Sequence, residues 1–321
     1  MPAISPTVPR FSLRCRVAAL LLALPALPAQ AGETKAAPVP LDDGPYVFVQ
    51  ADALEAAWVC NGAVVRQRYP RRTRAQKVKA RCGYPLPLLL APDPADEARA
   101  RNPSGRIVAL SDIHGQYELM VQLLRANGVI DAKNRWKLGR DQLVLTGDVF
   151  DRGPRVTEVF WLLQQLQEQA RKAGGAVHFL LGNHETMVLY DDLRYVNPKY
   201  LQVAEKLGLS HAALYAKDTY LGQWLRSRPV MLRLGDTLFL HGGIAPENID
   251  LATDMEATNQ AYRDSLGTPK AELKADPRLA RLYDGKKSPI WYRGYFDGAL
   301  DTAQVAALLK KLGVARIVVG H

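Results

Sequence analysis

Histidine, aspartate and asparagine stand beside glycine in five short tracts of this sequence. These are Ser111-Asp112-Ile113-His114-Gly115, Gly147-Asp148-Val149-Phe150-Asp151-Arg152-Gly153, Gly182-Asn183-His184-Glu185, His241-Gly242-Gly243 and Gly320-His321. Four of the six histidines fall inside them. Asp and neutral His form a mixed oxygen and nitrogen donor set, which suits manganese, iron or zinc; oxygen donors alone would point to calcium. No cysteine is among them, which argues against a structural zinc site. The glycines permit tight turns and close backbone approach. Each tract alone has a plainer reading: D-x-H as an N-cap or polar pair, GDxxDRG as a turn with an ion pair, GNHE as a capped helix start. Five of them in order make a metal site the better explanation. The other two histidines, His178 and His211, fall in an expected strand and near an expected helix start, and are read as structural.

Each tract follows a short apolar run. Ile107–Leu110, Gln142–Leu145 and residues 177–181, 238–240 and 317–319 have the length and composition of buried strands. Between them lie helical patterns: Tyr117–Ala126, then Val156, Val159, Phe160, Leu163 and Leu166 with Gly174-Gly175 as a stop. Residues 301–312 read as a helix with Asp301 as N-cap, Gln304 three positions on and Gly313 as terminator. Strands alternating with helices imply an α/β layered fold. In such sheets ligands bind at the carboxyl ends of strands, so the five tracts converge on one rim.

The chain has 321 residues, 48% hydrophobic and 23% charged, an ordinary globular composition able to bury a sizeable core. No stretch reaches the roughly 18 apolar residues of a membrane span. Residues 1–31 read as a secretory signal peptide: Arg10, Arg14 and Arg16, an apolar run over residues 17–27, and the A-x-A ending Ala29-Gln30-Ala31. Cys15 lies in this segment, and cleavage after Ala31 leaves Cys60 and Cys82. They form either one disulfide or two buried thiols; export favours the disulfide, which would contribute about 3 kcal/mol on the chain-entropy model. The net charge of +10 falls to +7 without the three arginines of the leader. Eight basic residues and no acidic one lie in residues 66–81, so the rest sums to 7 − 8 = −1. The run reads as a solvated basic face or as a patch for an anionic envelope surface. No nucleic-acid module is visible, and no nucleic-acid partner is expected. Residues 32–90 read as a polar lead and a small β-rich module with a turn at Asn61-Gly62, residues 91–104 as a linker, and residues 105–321 as the catalytic domain.

The tracts SDIHG, GDVFDRG, GNHE, HGG and GH resemble the signature of the calcineurin-like metallophosphoesterases, specifically the PPP-type phosphoprotein phosphatases. Ser111 in place of the usual glycine, GNHETMVLYDDLRYVN at residues 182–197 and Trp291-Tyr292-Arg293-Gly294 look most like the bacterial Shewanella-like protein phosphatases. The resemblance covers residues 105–321. It implies a metallophosphoesterase sandwich, with mixed β-sheets flanked by helices, behind the β-rich module. It also implies two divalent ions, manganese first with iron or zinc as alternatives. Asp112, His114 and Asp148 would hold one ion. Asp148, Asn183, His241 and His321 would hold the other. His184 would be the general acid, oriented by Asp151, with Arg152 and Arg293 on the phosphate oxygens. The implied reaction is in-line attack on phosphorus by a di-metal-bound hydroxide. The implied substrate is phosphorylated protein or a small phosphomonoester, with phosphotyrosine often preferred in that branch. The family normally continues past the position of His321, so the resemblance implies a truncated sequence or a domain without its closing piece.

The competing enzymes are a symmetrical dinucleoside-tetraphosphate hydrolase and a broad phosphate-scavenging phosphatase. The first typically carries Ala at the position of Asp151 and GNHD where this chain has Glu185; both positions favour the phosphatase. From another class, an inactive envelope-binding module would be expected to lack donors that this chain retains.

Overall fold

Short apolar runs become strands wherever a neighbouring strand takes up their backbone groups. The computed structural model describes residues 40–82, 84, 87–93 and 105–321. The expected signal peptide and most of the polar lead lie outside the described residues, as does much of the expected linker. At the N-terminal end Asp43–Val49 (β1), Ala53–Cys60 (β2) and Ala63–Pro70 (β3) form an antiparallel sheet in that order. The β2–β3 turn is Asn61-Gly62, with φ of 48° and 75°, the left-handed pair that a two-residue hairpin requires. Gln76–Val78 (β4) and Leu88–Leu90 (β5) pair antiparallel. Cys60 and Cys82 are joined in a disulfide with a Cα–Cα distance of 5.0 Å. The basic run is partly ion-paired: Arg66 reaches Glu55 at 2.6 Å and Arg68 reaches Asp52 at 2.9 Å.

Ile107–Leu110 (β6), Gln142–Leu145 (β7) and Ala176–Phe179 (β8) form a parallel sheet in chain order. Tyr117–Ala126 (α1) and Val156–Ala173 (α2) are its crossovers. Gly174 ends α2 in the left-handed region at φ 79°. The third strand stops at Phe179, two residues short of the apolar run. Leu180 still donates to Leu145 O, but Leu181 turns its N–H to Pro229 O at 2.9 Å, so the ladder is broken there.

Asn183–Leu189 (α3), Pro198–Leu207 (α4) and Tyr220–Arg226 (α5) follow. Met231–Leu234 (β9) pairs antiparallel with Thr237–Leu240 (β10). After the helices Ile249–Thr253 (α6), Met255–Ser265 (α7), Lys270–Ala275 (α8) and Pro277–Leu282 (α9), Thr302–Leu312 (α10) leads into Arg316–Val318 (β11), parallel to β10. Asp301 and Gln304 close the capping box of α10, and Gly313 ends it. Among the described residues no helix is long and apolar enough to cross a membrane.

Side-chain alternation then fixes the layers. Val144, Leu180, Leu234 and Phe239 from the two sheets form one small core. The alternate residues Leu143, Leu145, Val177 and Phe179 join α2 residues Val159, Phe160 and Leu163 in the larger core. The result is an α/β metallophosphoesterase-type sandwich with helices outside, as the resemblance implies, and its strand carboxyl ends share a rim.

His178 and His211 are both buried. His178 Nε2 lies 2.9 Å from Gln142 Oε1 on β7, and His211 packs beside Tyr215. Burial pushes both down to about 4; Arg228 adds to the effect on His178. Between pH 6.5 and about 4 the unfolded chain therefore binds more protons than the folded one. Stability present above the unfolded value is lost as pH falls through the folded one. With metal chelated, the melting temperature is expected to decline from pH 7 to 4. His178→Gln is expected to make the decline shallower, because it removes one titrating group. An identical slope in the variant would count against this account.

Candidate metal centre

The loops after β6, β7, β8, β10 and β11 meet because their backbones zip together. Asp112, His114 and Gly115 donate N–H groups to the carbonyls of Gly147, Asp148 and Val149 at 3.2, 3.0 and 3.0 Å. Gly153 donates to His114 O at 2.9 Å, and Gly320 donates to His241 O at 2.8 Å. Gly147 must be glycine: φ is 106°, and a Cβ would stand 2.4 Å from Gly182 N. Six non-glycine residues of these loops lie in the left-handed region: Asp112, His114, Asp148, Asp151, Arg152 and His321. Such conformations cost on the order of 1 kcal/mol each and persist where surrounding structure over-determines them, often at functional sites.

Two histidines have their tautomers fixed from outside the site. His114 Nδ1 lies 2.7 Å from Phe150 O, and His241 Nδ1 lies 2.8 Å from Thr146 O. A carbonyl only accepts, so each Nδ1 carries the hydrogen, and each neutral ring presents a lone pair at Nε2. Both Nε2 atoms face Asp148 Oδ2, at 3.8 and 3.2 Å. His321 Nδ1 is 3.1 Å from His241 Nε2. Facing lone pairs repel unless a proton or a metal ion lies between them. Asn183 Oδ1 and His321 Nε2 are buried without a hydrogen-bond partner. Two groups have ligand atoms within 4.8 Å of one another: His114, Asp148 and His184, and Asp148, His241 and His321. This donor set fits two divalent ions that share Asp148.

The expected residues are thus placed as follows. His114, Asp148, His241 and His321 come together, and Asn183 is buried next to His184, whose N–H donates to Asp148 Oδ1 at 3.1 Å. Asp112 stands beside the second group, where its Oδ2 accepts from His321 N at 3.1 Å. It is not a member of either compact triad. His184, expected as an acid, does belong to one: its Nε2 is 3.8 Å from Asp148 Oδ2. Its Nδ1 is 2.5 Å from Asp151 Oδ2, as expected for an oriented imidazole. Arg152 and Arg293 are exposed, and neither forms an ion pair among the described residues. Arg152 is close enough to disfavour charge on His114, and Arg293 on His321.

Burial opposes charge on Asp148, but His241 and His184 outweigh it and hold the carboxyl at about 2. Burial pushes His114 below its ordinary value, against the pull of Phe150 O and Asp148. His184 goes the other way: burial disfavours its charge, but Asp151 and Asp148 raise it. One imidazole is held toward its neutral form and its neighbour toward its protonated form.

Sequence reasoning did not give Glu185 a role, yet its carboxylate holds the site loop. Its two oxygens accept the N–H groups of Asp148, Val149, Phe150 and Gly182 at 2.8, 2.8, 3.2 and 2.7 Å. The signal was present: Glu three residues after Gly182 is the capping-box position. Burial, with Asp148 adding to it, raises Glu185 to about 6. Tyr195 and Trp291 were also missed as neighbours of the site. Their rings lie 5.4 Å from those of His184 and His321. Glu185→Gln keeps the shape but directs an NH₂ at backbone donors. It is expected to cost about 1–3 kcal/mol for each buried donor left unsatisfied. Thermal melts of the chelated protein check this; an unchanged melting temperature would refute the anchoring role.

A profile of the calcineurin-like phosphoesterase family matches residues 105–321. Shewanella-like protein phosphatase 2 of Arabidopsis thaliana is 29% identical over 262 residues, covering 67% of this chain and 66% of the plant protein. A symmetrical bis(5'-nucleosyl)-tetraphosphatase of Chromobacterium violaceum is 33% identical over 175 residues, 50% of this chain and 54% of that protein. The chain thus spans slightly under two thirds of the first relative and about half of the second. The crystal structure of a cold-active protein-tyrosine phosphatase from a psychrophilic Shewanella species superposes with a TM-score of 0.82 and 38% identity. That superposition covers 87% of this chain and 84% of the other. Residues 105–321 are about two thirds of the chain, so it extends into the N-terminal strands.

Proposed function

We propose that this chain, which belongs to the calcineurin-like phosphoesterase family, is an exported manganese-dependent phosphatase that takes phosphate from phosphorylated protein. Its catalytic domain is that of a metal-dependent phosphoester hydrolase of the Shewanella-like type; the substrate, the metal and the compartment are the proposal. The observation that carries it is the pair of donor groups sharing Asp148, one of which includes His184, itself held by Asp151. The similar Shewanella protein is a protein-tyrosine phosphatase, which supports phosphotyrosine as the substrate.

When bound, two divalent ions supply an activated water and positive charge for the phosphoryl oxygens. We assign Asp112, His114 and Asp148 to one ion and Asp148, Asn183, His241 and His321 to the other. A ligand must offer a lone pair, and His114 is pushed toward the neutral form that does so. His184 is pushed toward the protonated form, but so is His241. What supports an acid and not a ligand is the Asp151 carboxylate on its Nδ1, where His114 and His241 have backbone carbonyls. Asp151 accepts from its Nδ1–H and fixes the ring, leaving Nε2 to give a proton to the departing oxygen. Arg152 and Arg293, exposed toward opposite donor groups, bind phosphate oxygens through their planar forks.

The test is hydrolysis of para-nitrophenyl phosphate with Mn²⁺ and with EDTA. His184→Ala is expected to retain both metals and lose about 10²–10⁴-fold in turnover of phosphotyrosine peptide. The loss should be smaller with para-nitrophenyl phosphate, whose leaving group needs no proton. Loss of bound metal in the variant would make His184 a ligand instead. The Chromobacterium relative supports a second reading, hydrolysis of dinucleoside tetraphosphates. Faster turnover of diadenosine tetraphosphate than of phosphotyrosine peptide would favour it.

Export is supported by the basic, apolar and A-x-A order of residues 1–31, and the basic run at residues 66–81 would then face an anionic envelope. Mass spectrometry of the protein from the exporting cell is expected to find Gly32 at the N-terminus. A chain that still carries the leader would overturn this.

A further inference from the structure

Tyr195 stands at the mouth of the site and takes no part in the functions assigned above. Its ring centroid lies 5.4 Å from that of His184, tilted by 51°. His184 thus touches two rings, since His114 also meets it edge-on, with 4.7 Å between centroids. Yet Tyr195 is 46% exposed, one of six large hydrophobic side chains left open among the described residues. It is also held in place. Arg194 lies over its ring at 5.5 Å, and Arg194 is itself fixed by two hydrogen bonds to Asp192, at 2.7 and 2.8 Å. Asp192 is bridged in turn to Lys270 at 3.5 Å. The backbone carbonyl of Tyr195 accepts the Arg152 N–H at 2.8 Å, which ties its position to that of a phosphate-binding arginine. An exposed aromatic ring braced by an ion pair and anchored to the catalytic loop is costly to order unless something packs on it.

Position dictates what that is. A departing oxygen must come within about 3 Å of His184 to receive its proton. The carbon it carries is one bond further out. A ring resting against the His184 imidazole is therefore in contact range of the leaving group and not of the phosphoryl oxygens, which face the metal ligands and arginines. Aromatic rings in such contact favour tilted or offset stacking.

We propose that Tyr195 is a specificity-determining residue that stacks on the aromatic leaving group of an aryl phosphate, and so selects phosphotyrosine-like esters over alkyl ones. The inference rests on the phosphatase reading. Its test is binding and not turnover. Calorimetry on the Mn²⁺-loaded protein compares phenylphosphonate with methylphosphonate, which differ only in the ring. Tyr195→Ala is expected to weaken phenylphosphonate by about three- to tenfold and to leave methylphosphonate unchanged. Tyr195→Phe is expected to retain the preference. Equal weakening of both ligands, or no change in their ratio, overturns the stacking role. Para-nitrophenyl phosphate hydrolysis, assayed in parallel, separates the two claims. A normal rate with an unchanged ratio sinks Tyr195 alone. No hydrolysis sinks the phosphatase reading, while the binding ratio still decides the role of Tyr195. If neither phosphonate binds the wild type, both fall.

Discussion

A carboxylate that stays ionised while almost wholly out of water is the constraint on which this site is built. Asp148 is 2% exposed. A charge so placed must be compensated by close partners or it neutralises. Burial alone would push Asp148 up, and the ring of imidazoles around it reverses that. Glu185, fully buried beside it, meets the same difficulty differently. Its oxygens take four backbone N–H groups, and it still titrates high, at about 6. Two adjacent acids thus divide the donors: four backbone amides for Glu185, and the His184 N–H, the imidazoles and any bound cation for Asp148. Phe150 O and Thr146 O hold the Nδ1–H groups of His114 and His241 and so turn each Nε2 toward Asp148, where a proton or a bound cation between them compensates the carboxylate.

The parallel sheet supplies the place, and backbone strain supplies the fit. Strands β6, β7 and β8 end in register, so their loops leave the sheet side by side and bond to one another. Folding a donor back over the strand end needs a left-handed residue, and the ligand candidates Asp112, His114, Asp148 and His321 adopt it themselves. A glycine at those positions would relieve the strain but carry no side chain. The glycines stand next door instead, at Gly115 and Gly147, where another backbone passes too close for a Cβ.

These features explain what could be read from the sequence. Strand, turn and helix positions were legible because apolar period, caps and glycine stops act locally: α1 and α10 end where Gly, Asn or a capping pair places them, and the Asn61-Gly62 hairpin forms as written. The donor set was legible because Asp, His and Asn recur after each strand. Roles set by long-range contact were not. Glu185 looks like a helix-start residue until the Gly147–Phe150 backbone is seen to fold onto it. Tyr195 looks like a surface tyrosine until the turn after α3 brings it against His184. The shortened end of β8 depends on Pro229, fifty residues away in sequence, capturing the Leu181 N–H. The standing of His184 inside a donor triad is likewise a tertiary fact, and what sets it apart from His114 and His241 is its Nδ1 partner, the Asp151 carboxylate instead of a backbone carbonyl.

The N-terminal strands bear on the same loop. Buried Asp43, at the start of β1, accepts from Lys199 Nζ at 2.9 Å and from Tyr46 OH and Thr157 Oγ1 at 2.5 and 3.2 Å. Lys199 also donates to Pro154 O at 2.8 Å, immediately after the GDVFDRG tract. Asn197, two residues earlier, donates to Arg152 O, and Tyr200 OH accepts the Val156 N–H. The segment from Tyr195 to Tyr200 therefore grips the backbone from Arg152 to Val156 at successive points, and Asp43 neutralises the lysine at its centre. One turn further along α2 from Thr157, Trp161 donates to Pro45 O at 3.0 Å. Removing β1 would leave Lys199 without its buried counter-charge and α2 without a cover. The strands ahead of residue 105 are thus part of the scaffold that places Arg152. An appended anchor would not be wired into the catalytic loop in this way, and the extension of the Shewanella superposition beyond residues 105–321 is what that wiring requires.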